Sequence, residues 1–253
     1  MKFLGIIPAR YASTRFPGKP LADIGGKMMI QRVYEQVAPC LDDVWVATDD
    51  ERIVKAVKSF GGKVVLTSDK HRSGTDRCLE ASRKIGGDFD VVINIQGDEP
   101  FIQPSQIEAL KACFEMSKRS DTRLATLVKP FTEKDGLEAL LNANSPKVVL
   151  NLKGEAMYFS RSVIPFLRGV PQEEWLNKGH FYKHVGIYAY RRETLAEIAV
   201  LPQSPMELSE SLEQLRWLEN GYSIQTAITD VENLAVDTPE DLENIRKYLE
   251  TTF

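Results

Sequence analysis

The sequence contains few cysteines and no long apolar run. Only three of its 253 residues are cysteines, Cys40, Cys78 and Cys113, and no two of them form a C-x-x-C pair. This spacing argues against a disulfide framework and a cysteine-based zinc site, so we expect buried thiols in a reducing compartment. No stretch approaches the roughly 18 apolar residues of a membrane span, and the short apolar segment before Arg10 is not typical of a secretory signal. We therefore expect a cytoplasmic protein without membrane insertion.

A strong excess of charge and an internal repeat are also missing. The chain has 32 Lys and Arg against 36 Asp and Glu, a formal net charge of −4, and 43% of its residues are hydrophobic. This slight acidity disfavours a nucleic-acid partner, because such proteins usually present a basic surface. There is no low-complexity stretch and no interdomain linker, so we predict one domain over residues 1–253.

Two catalytic patterns are absent as well. His180 and His184 are four residues apart, but Phe181 stands where the zinc-protease motif H-E-x-x-H has its glutamate. No serine lies in a nucleophile elbow that would accompany a Ser-His-Asp arrangement. A zinc protease and a serine hydrolase are therefore disfavoured.

What the first half does contain is an alternation of strand and helix patterns. Nearly continuous apolar runs predict buried strands at residues 3–7, 44–47, 64–66 and 91–95. Amphipathic helices are predicted at residues 50–60, with Asp49 and Asp50 as capping candidates, and at residues 105–116. This order predicts an α/β fold with a mixed, mainly parallel sheet and helices on both faces.

The second half is richer in strands. Strands are predicted at 124–128, 148–152, 156–159 and 185–190, and the Lys153-Gly154 turn predicts a hairpin between the second and the third. Residues 165–183 contain prolines and glycines and predict an excursion or a mobile loop. Leucines from Leu208 to Leu218 predict one helix ending near Gly221. Residues 234–236 predict a strand, and Thr238, followed by Pro239 and Asp241, predicts a capped helix.

The loop from Ala9 to Pro20 follows the first predicted strand and has a distinct composition. It holds three cations, Arg10, Arg15 and Lys19, and no acid. Ligands of parallel sheets bind beyond the carboxyl ends of the strands, where such a loop can contact phosphate oxygens. It matches neither a Walker motif, because Pro20 follows Gly18-Lys19, nor a G-x-G-x-x-G motif. A phosphate site and a solvated basic loop both remain open.

Carboxylates follow two other predicted strands. Asp98 and Glu99 lie directly after the fourth strand, and Asp237 lies between a predicted strand and a predicted helix. One or two carboxylates combined with substrate phosphates suit Mg²⁺. The alternatives are an ordinary acidic turn and an aspartate stabilised by a helix dipole. Together, Asp98 and Asp237 opposite a cationic loop predict a site for a Mg²⁺–nucleotide.

Three further groups of residues have more than one interpretation. The spacing of His184 and Tyr188 places them on one face of a strand, towards either a ligand or a polar rim. Glu213 and Gln214 lie off the leucine stripe, which predicts exposure to solvent. Residues 72–77 either cap a helix or contact a base.

Several of these segments are similar to the motifs of a known protein family, and the similarity extends over residues 6–242. The matching motifs are residues 7–15, 17–21, 73–75, 96–100, 158–161, 184–188, 212–216 and 236–242. In these blocks the chain resembles the sugar-acid cytidylyltransferases of the sugar nucleotidyltransferase superfamily. The first loop is shared in looser form with other members, including sialic-acid cytidylyltransferases. The later blocks are more particular to the branch that uses 3-deoxy-D-manno-octulosonate (KDO).

The resemblance implies a Rossmann-like nucleotidyltransferase fold, a homodimer and the reaction CTP + KDO → CMP-KDO + pyrophosphate, which activates KDO for lipopolysaccharide biosynthesis. Residues 1–120 would bind CTP, and residues 121–253 would bind the sugar acid and form the dimer. The implied catalytic residues are Lys19, Asp98 and Asp237, of which the two aspartates would bind Mg²⁺. The implied CTP-binding residues are Ala9, Arg10, Ser13, Lys19, Ser73 and Arg77. The implied sugar-acid-binding residues are Arg15, Gln96, Arg161, His184, Tyr188, Glu213 and Gln214.

The departures from the family pattern are small. Phe16 stands where leucine is common, Asp76 stands where glutamate is common, and residues 165–183 match poorly, so a lid there is not predicted in detail. Two other functions share parts of the pattern, namely a glycosyltransferase that consumes a nucleotide sugar and a nucleotide-sensing module without catalysis. The residues do not separate KDO from an analogue such as its 8-amino derivative, nor one metal ion from two, and they reveal no general base.

Overall fold

A computed structural model of the chain describes residues 1–12, 16–115, 121–232, 235–236 and 238–252. The chain forms two compact units, residues 1–108 with 233–253, and residues 109–232. That these units constitute one elaborated domain stays a prediction. None of the helices within the described ranges has the length and apolar character needed to cross a membrane.

The strands of the described residues are β1 (Phe3–Ala9), β2 (Asp23–Ile24), β3 (Lys27–Met28), β4 (Asp43–Thr48), β5 (Val64–Leu66), β6 (Val91–Asn94), β7 (Leu124–Pro130), β8 (Lys147–Leu150), β9 (Ala156–Ser160), β10 (Tyr182–Arg191) and β11 (Gln225–Ile228). The helices are α1 (Met29–Val37), α2 (Glu51–Ser59), α3 (Gly74–Ile85), α4 (Pro104–Glu115), α5 (Gly136–Leu141), α6 (Trp175–Lys178), α7 (Arg192–Ile198), α8 (Pro205–Glu210), α9 (Gln214–Glu219) and α10 (Pro239–Thr252). The predicted α/β class is confirmed.

The sheet of the first unit is parallel and buried. Its strands are ordered β6-β1-β4-β5, and each neighbouring pair runs parallel. Strand β1 lies between two neighbours and is almost entirely buried, which explains its continuous apolar run. Because all four strands run in one direction, their carboxyl ends lie at one edge, where the loops after β1 and β6 begin. The predicted parallel arrangement is confirmed for this unit.

Local capping signals in the first unit are also confirmed. The Asp50 side chain accepts a hydrogen bond from the Arg52 amide at 2.9 Å, and Ser73 Oγ accepts one from the Asp76 amide at 3.2 Å. These bonds cap α2 and α3. Before α10, the Thr238 amide donates to the Asp241 carboxylate at 2.8 Å, and the Asp241 amide donates back to Thr238 Oγ1 at 3.2 Å, a complete capping box.

The second unit is built around β7, which pairs antiparallel with β10 and parallel with β11. Strands β8 and β9 form the predicted hairpin, whose turn contains Gly154 with a left-handed φ of 74°. Strand β8 also pairs with β10. The register between β7 and β10 shifts between Val185 and Tyr188, which marks a β-bulge in β10.

The prediction of one leucine-rich helix from Leu208 to Leu218 is wrong, because two short helices occupy this region. Ser211 has a left-handed φ of 51° and ends α8, and α9 begins only at Gln214. Leu208 is 61% exposed, whereas Leu212 and Leu215 are buried. The leucines therefore do not lie on one helix: Leu208 belongs to α8, Leu215 and Leu218 belong to α9, and Leu212 lies in the break between them. A serine in the left-handed region is not a break that residue type predicts.

Two other loop predictions are revised. Ala235 and Val236 do not belong to a strand; instead the Val236 amide donates to the Asp98 carbonyl at 2.9 Å, and Leu234 lies outside the described residues. The excursion at 165–183 contains α6 and anchors Trp175 and Phe181 against Leu140 in a buried apolar cluster.

Candidate active site

The loop after β1 is folded back by a glycine. Ala9 is the last, buried residue of β1, and the exposed Arg10 that follows donates a hydrogen bond from Nη2 to the His71 carbonyl. Gly18 has a left-handed φ of 73°, and its amide donates to the Tyr11 carbonyl at 2.9 Å. A Cβ at Gly18 would lie 3.1 Å from the Tyr11 ring. The glycine therefore closes the loop and starts the single 3₁₀ turn that carries Lys19.

Lys19 reaches the loop after β6. Its ammonium nitrogen lies 2.7 Å from Oδ2 of Asp98, and the two side chains are 16% and 29% exposed. Two residues that the sequence analysis placed at separate strand ends are thus in direct contact. The contact joins a cation suited to phosphate with a carboxylate suited to a hard metal ion.

The loop that carries Asp98 lies directly against the end of β1. A Cβ at Gly97 would lie 2.9 Å from the Pro8 carbonyl oxygen, closer than real side chains approach backbone. A glycine is therefore required here for close approach rather than for an unusual φ. Gln96 precedes it, two residues after the end of β6, in the first unit.

The metal prediction rests on Asp98 alone among the described residues. Within the described ranges, no group of three or more His, Cys, Asp or Glu side chains is arranged around a common point. The hydrogen bond from the Val236 amide to the Asp98 carbonyl holds the segment before Asp237 beside the Asp98 loop. Asp237 itself lies outside the described residues. A single carboxylate such as Asp98, combined with phosphate oxygens, suits Mg²⁺, which commonly takes few protein ligands. Its pairing with Asp237 stays a prediction.

The N-terminus of α3 forms the next part of this edge. Ser73 is its N-cap, which settles one of the alternatives for residues 72–77, and a Cβ at Gly74 would lie 3.6 Å from the Pro8 ring. The exposed backbone N–H groups of a helix N-terminus favour anions. Contact of Ser73 with a nucleotide stays a prediction.

Arg77 lies behind this edge, fully buried. Its Nη1 donates to Thr67 Oγ1 at 2.6 Å and lies 3.1 Å from the Asp49 carboxylate, so it joins the segments that follow β4 and β5. Burial lowers the pKa of the Arg77 guanidinium; the Asp49 charge opposes this and the Arg10 charge adds to it. Its predicted contact with CTP stays a prediction.

In the second unit, Arg161 is held by backbone carbonyls. Its guanidinium donates to the carbonyls of Glu210 at 2.6 Å, Ala143 at 3.0 Å and Ser211 at 3.3 Å. Its backbone amide donates to the Glu210 carboxylate at 2.9 Å. Arg161 thus ties the end of β9 to the break between α8 and α9. Its predicted contact with a substrate carboxylate stays a prediction.

His184 and Tyr188 lie together on β10, with ring centroids 5.4 Å apart. His184 is buried, its Nε2 lies 3.0 Å from Thr126 Oγ1, and its ring packs edge-on against Phe159. Burial lowers the pKa of His184 to about 3, so the imidazole is neutral at physiological pH. Burial also raises the pKa of Tyr188 well above its usual value, which keeps that phenol protonated.

Gln214 completes this cluster, and its predicted exposure to solvent is wrong. Its side chain is buried, with the residue 3% exposed, and its Nε2 lies 3.5 Å from His184 Nδ1. The reason is the break at Ser211, which starts α9 at Gln214 and gives it a different face from that of one continuous helix. Glu213 accepts a hydrogen bond from Arg216 Nη2 at 2.9 Å.

The predicted site residues thus fall into two groups. In the first unit the structure brings Lys19 to Asp98; in the second it brings His184, Tyr188 and Gln214 together. Ser13, Arg15 and Asp237 lie outside the described residues. The supporting residues Thr67, Thr126 and Glu210 were not predicted, and Asp49 was predicted only as a helix-capping candidate. Only Thr126 offered a signal, as a hydroxyl inside an otherwise apolar strand.

Comparisons with known proteins identify the family of the chain. A family model described as Cytidylyltransferase matches residues 4–228. A 3-deoxy-manno-octulosonate cytidylyltransferase of Bacteroides thetaiotaomicron is 68% identical over 250 residues, 98% of each chain. One of Cytophaga hutchinsonii is 55% identical over 245 residues, 96% of this chain and 95% of that protein. One of Geobacter sulfurreducens is 46% identical over 256 residues, 98% of this chain and 100% of that protein.

Solved structures extend the likeness to three dimensions. The structure of a CMP:2-keto-3-deoxy-manno-octonic acid synthetase complexed with CTP is 42% identical, covers 100% of both chains and has a TM-score of 0.91. A cytidylyltransferase of Leptospira borgpetersenii is 16% identical, with a TM-score of 0.63 over 100% of this chain and 88% of that one. At that identity the likeness concerns the fold alone.

The α/β fold that the chain shares with the CTP-complexed synthetase, at 42% identity, is that of the nucleotidyltransferase class. The family match over residues 4–228 narrows this class to those that use a cytidine nucleotide. With relatives of this name at 68%, 55% and 46% identity over nearly the whole chain, the chain belongs to the 3-deoxy-manno-octulosonate cytidylyltransferase family.

Proposed function

We propose that this chain transfers the cytidylyl group of CTP to KDO, giving CMP-KDO and pyrophosphate, as a step in lipopolysaccharide biosynthesis. The contact between Lys19 and Asp98 carries the proposal, because a cation that could bind phosphate lies beside a carboxylate that could bind a metal ion, at the edge of a parallel sheet. The names of the whole-length relatives support the choice of CTP and KDO.

The bond changes define what the residues must do. The anomeric hydroxyl oxygen of KDO forms a bond to the α-phosphorus of CTP, the bond from that phosphorus to the pyrophosphate oxygen breaks, and the hydroxyl proton is released. Positioning and charge stabilisation are the main tasks of the protein in such a transfer. Arg10, Ser13 and Lys19 would bind the phosphates, with Ala9, Ser73 and Arg77 near the nucleotide.

Lys19 has a specific task in this scheme. In the structure its ammonium group neutralises Asp98 at 2.7 Å. When CTP binds, a phosphate oxygen would replace Asp98 as the partner of the Lys19 ammonium group. The Asp98 carboxylate would then be available to bind a metal cation. Asp98 and Asp237 would hold Mg²⁺, which when bound supplies positive charge to the phosphates and lowers the pKa of the attacking hydroxyl.

The second unit would bind the sugar acid. Arg161 has the fork geometry that suits a carboxylate, and its backbone amide is already fixed by Glu210. Neutral His184, protonated Tyr188 and the amide of Gln214 offer hydrogen bonds to hydroxyl groups without a change of charge. Glu213 completes the proposed set of this unit, and the resemblance implies Gln96 and Arg15 as further sugar-acid-binding residues.

The proposal has three further parts, which are a requirement for Mg²⁺, a homodimeric state and a cytoplasmic location. The location is supported by Cys40, Cys78 and Cys113, which are thiols rather than disulfides.

Pyrophosphate release by the purified chain tests the function. CTP would be combined with KDO, 8-amino-KDO or sialic acid, with Mg²⁺ or with EDTA. We expect pyrophosphate and CMP-KDO in equal amounts with KDO and Mg²⁺, and neither product with EDTA. Release of a nucleoside diphosphate from a nucleotide sugar would instead indicate a glycosyltransferase. CTP binding without pyrophosphate release from any sugar acid would indicate a sensing module.

A further inference from the structure

We propose that Thr126 is a positioning residue whose hydroxyl fixes the tautomer of His184 and, through it, the orientation of the Gln214 amide. The inference deepens the proposed function, on which its link to the sugar acid rests. All three residues belong to the second unit. Thr126 would contact no substrate atom itself.

The Thr126 hydroxyl is fully buried and has three polar neighbours. Its Oγ1 lies 2.8 Å from the Ile187 carbonyl oxygen, 3.2 Å from the Val185 carbonyl oxygen and 3.0 Å from His184 Nε2. The two carbonyls can only accept hydrogen bonds, and the hydroxyl has a single proton to donate. That proton is therefore directed to a carbonyl, with Ile187 at the shorter distance.

This assignment determines which ring nitrogen of His184 carries the proton. Towards His184 the Thr126 oxygen acts as the acceptor, so Nε2 must carry the imidazole proton. Because burial keeps the ring neutral, Nδ1 then carries no proton and is an acceptor. An unpaired buried polar group would be costly, so the alternative tautomer is disfavoured at this position.

The β-bulge in β10 creates these contacts. Val185 pairs with Leu127 and Tyr188 pairs with Thr126, so the register between β7 and β10 passes over Gly186 and Ile187. The extra residues let carbonyls on both sides of Gly186 approach the same hydroxyl. A regular ladder would not provide this arrangement, which is consistent with the use of bulges to re-aim side chains.

The tautomer of His184 determines the orientation of the Gln214 side-chain amide. That amide lies 3.5 Å from His184 Nδ1. Since Nδ1 is an acceptor, Gln214 must present its NH₂ group to the ring, and its carbonyl Oε1 is then directed away from it. Gln214 therefore offers an acceptor to a ligand, and a sugar hydroxyl would donate its proton to it. With the other tautomer the amide would be reversed and would offer a donor instead.

The matched variants Thr126→Val and Thr126→Ser test the proposal. Valine has nearly the shape of threonine but no acceptor, whereas serine keeps the hydroxyl. In the wild type and in Thr126→Ser, ring ¹⁵N NMR should show His184 protonated at Nε2. In Thr126→Val the population should shift towards protonation at Nδ1. The chain has only three histidines, so assignment by replacement of each is practical.

Kinetics provide the second measurement. We expect Thr126→Val to raise KM for the sugar acid by about 10-fold, the scale of one hydrogen bond, with KM for CTP unchanged. Thr126→Ser should restore the wild-type value. A wild-type ring protonated at Nδ1, or an Nε2 proton that persists in folded Thr126→Val, would overturn the proposal.

The two measurements separate the possible failures. Thermal unfolding identifies a Thr126→Val protein that does not fold, and in that case the wild-type tautomer still decides the question. If the wild type releases no pyrophosphate, the proposed function fails, but NMR still tests the role of Thr126. If turnover is normal and the tautomer is independent of Thr126, only the positioning role fails.

Discussion

Lys19 and Asp98 are 79 residues apart in the chain, yet the Lys19 ammonium nitrogen lies 2.7 Å from the Asp98 carboxylate. Strands β1 and β6 are neighbours in a parallel sheet, so their carboxyl ends bring the two following loops together. Both side chains remain partly accessible to solvent. A pair of this kind adds little to stability, so its position at the strand ends points to chemistry instead.

Replacement of Asp98 should remove turnover without unfolding the protein. We expect Asp98→Asn to lower kcat at least ~10²-fold, the scale of one key electrostatic group. The free energy of unfolding should change by less than about 1 kcal/mol, as for other partly exposed ion pairs. Pyrophosphate release and urea unfolding measure the two effects. Glu35→Gln is a matched control, since that carboxylate pairs with Lys27 on the surface of the same unit. Near-normal turnover in Asp98→Asn would reject the metal role.

Replacement of Lys19 should affect the nucleotide more than the sugar acid. Lys19→Ala removes a cation from the phosphate loop, so we expect KM for CTP to rise at least ~10-fold, the scale of one charge-assisted hydrogen bond. KM for KDO should stay near the wild-type value. Initial rates with each substrate varied in turn check this split, and Lys27→Ala provides the surface control. Equal changes in both KM values would contradict a specific phosphate role.

A methyl group at Gly97 should disturb the Asp98 loop. The added Cβ would lie 2.9 Å from the Pro8 carbonyl oxygen, and both groups are backbone-bound and cannot rotate away. We expect Gly97→Ala to lower the free energy of unfolding by about 1–3 kcal/mol, as in overpacked sites, and to lower kcat. Gly186→Ala is the control for stability, because a Cβ there would have no neighbour within 4 Å. Equal stability of the two variants would show that the close approach is not required.

Protonation of His184 should lower stability in acid. The pKa of His184 is about 3 in the folded protein, below its ordinary value of 6.5. Below about pH 6.5 the unfolded chain therefore binds a proton that the folded protein does not, and stability falls as the pH falls. From about pH 7 to about pH 5 this amounts to about 2 kcal/mol. The difference in urea unfolding between wild type and His184→Gln isolates this contribution, because His71 and His180 are present in both. A difference that does not vary with pH would contradict a buried neutral imidazole.

Local chemistry made much of the fold predictable. The caps at Asp50, Ser73 and Thr238 depend on side chains that bond to amides two or three residues away, so the sequence carries the whole signal. The hairpin around Gly154 is predictable for the same reason. The break at Ser211 was missed, since a left-handed serine is imposed by the surrounding structure and not by residue type.

The sequence by itself determined the α/β class, the parallel strands and the loops that carry Arg10, Lys19 and Asp98, because these follow from apolar runs and short-range capping. The tertiary structure alone decided which of these groups meet. Lys19 contacts Asp98 because β1 and β6 are adjacent, and Thr126 contacts His184 because a bulge shifts the register between β7 and β10. Strand order and register depend on the burial of side chains from several strands at once, so no short segment of the sequence determines them.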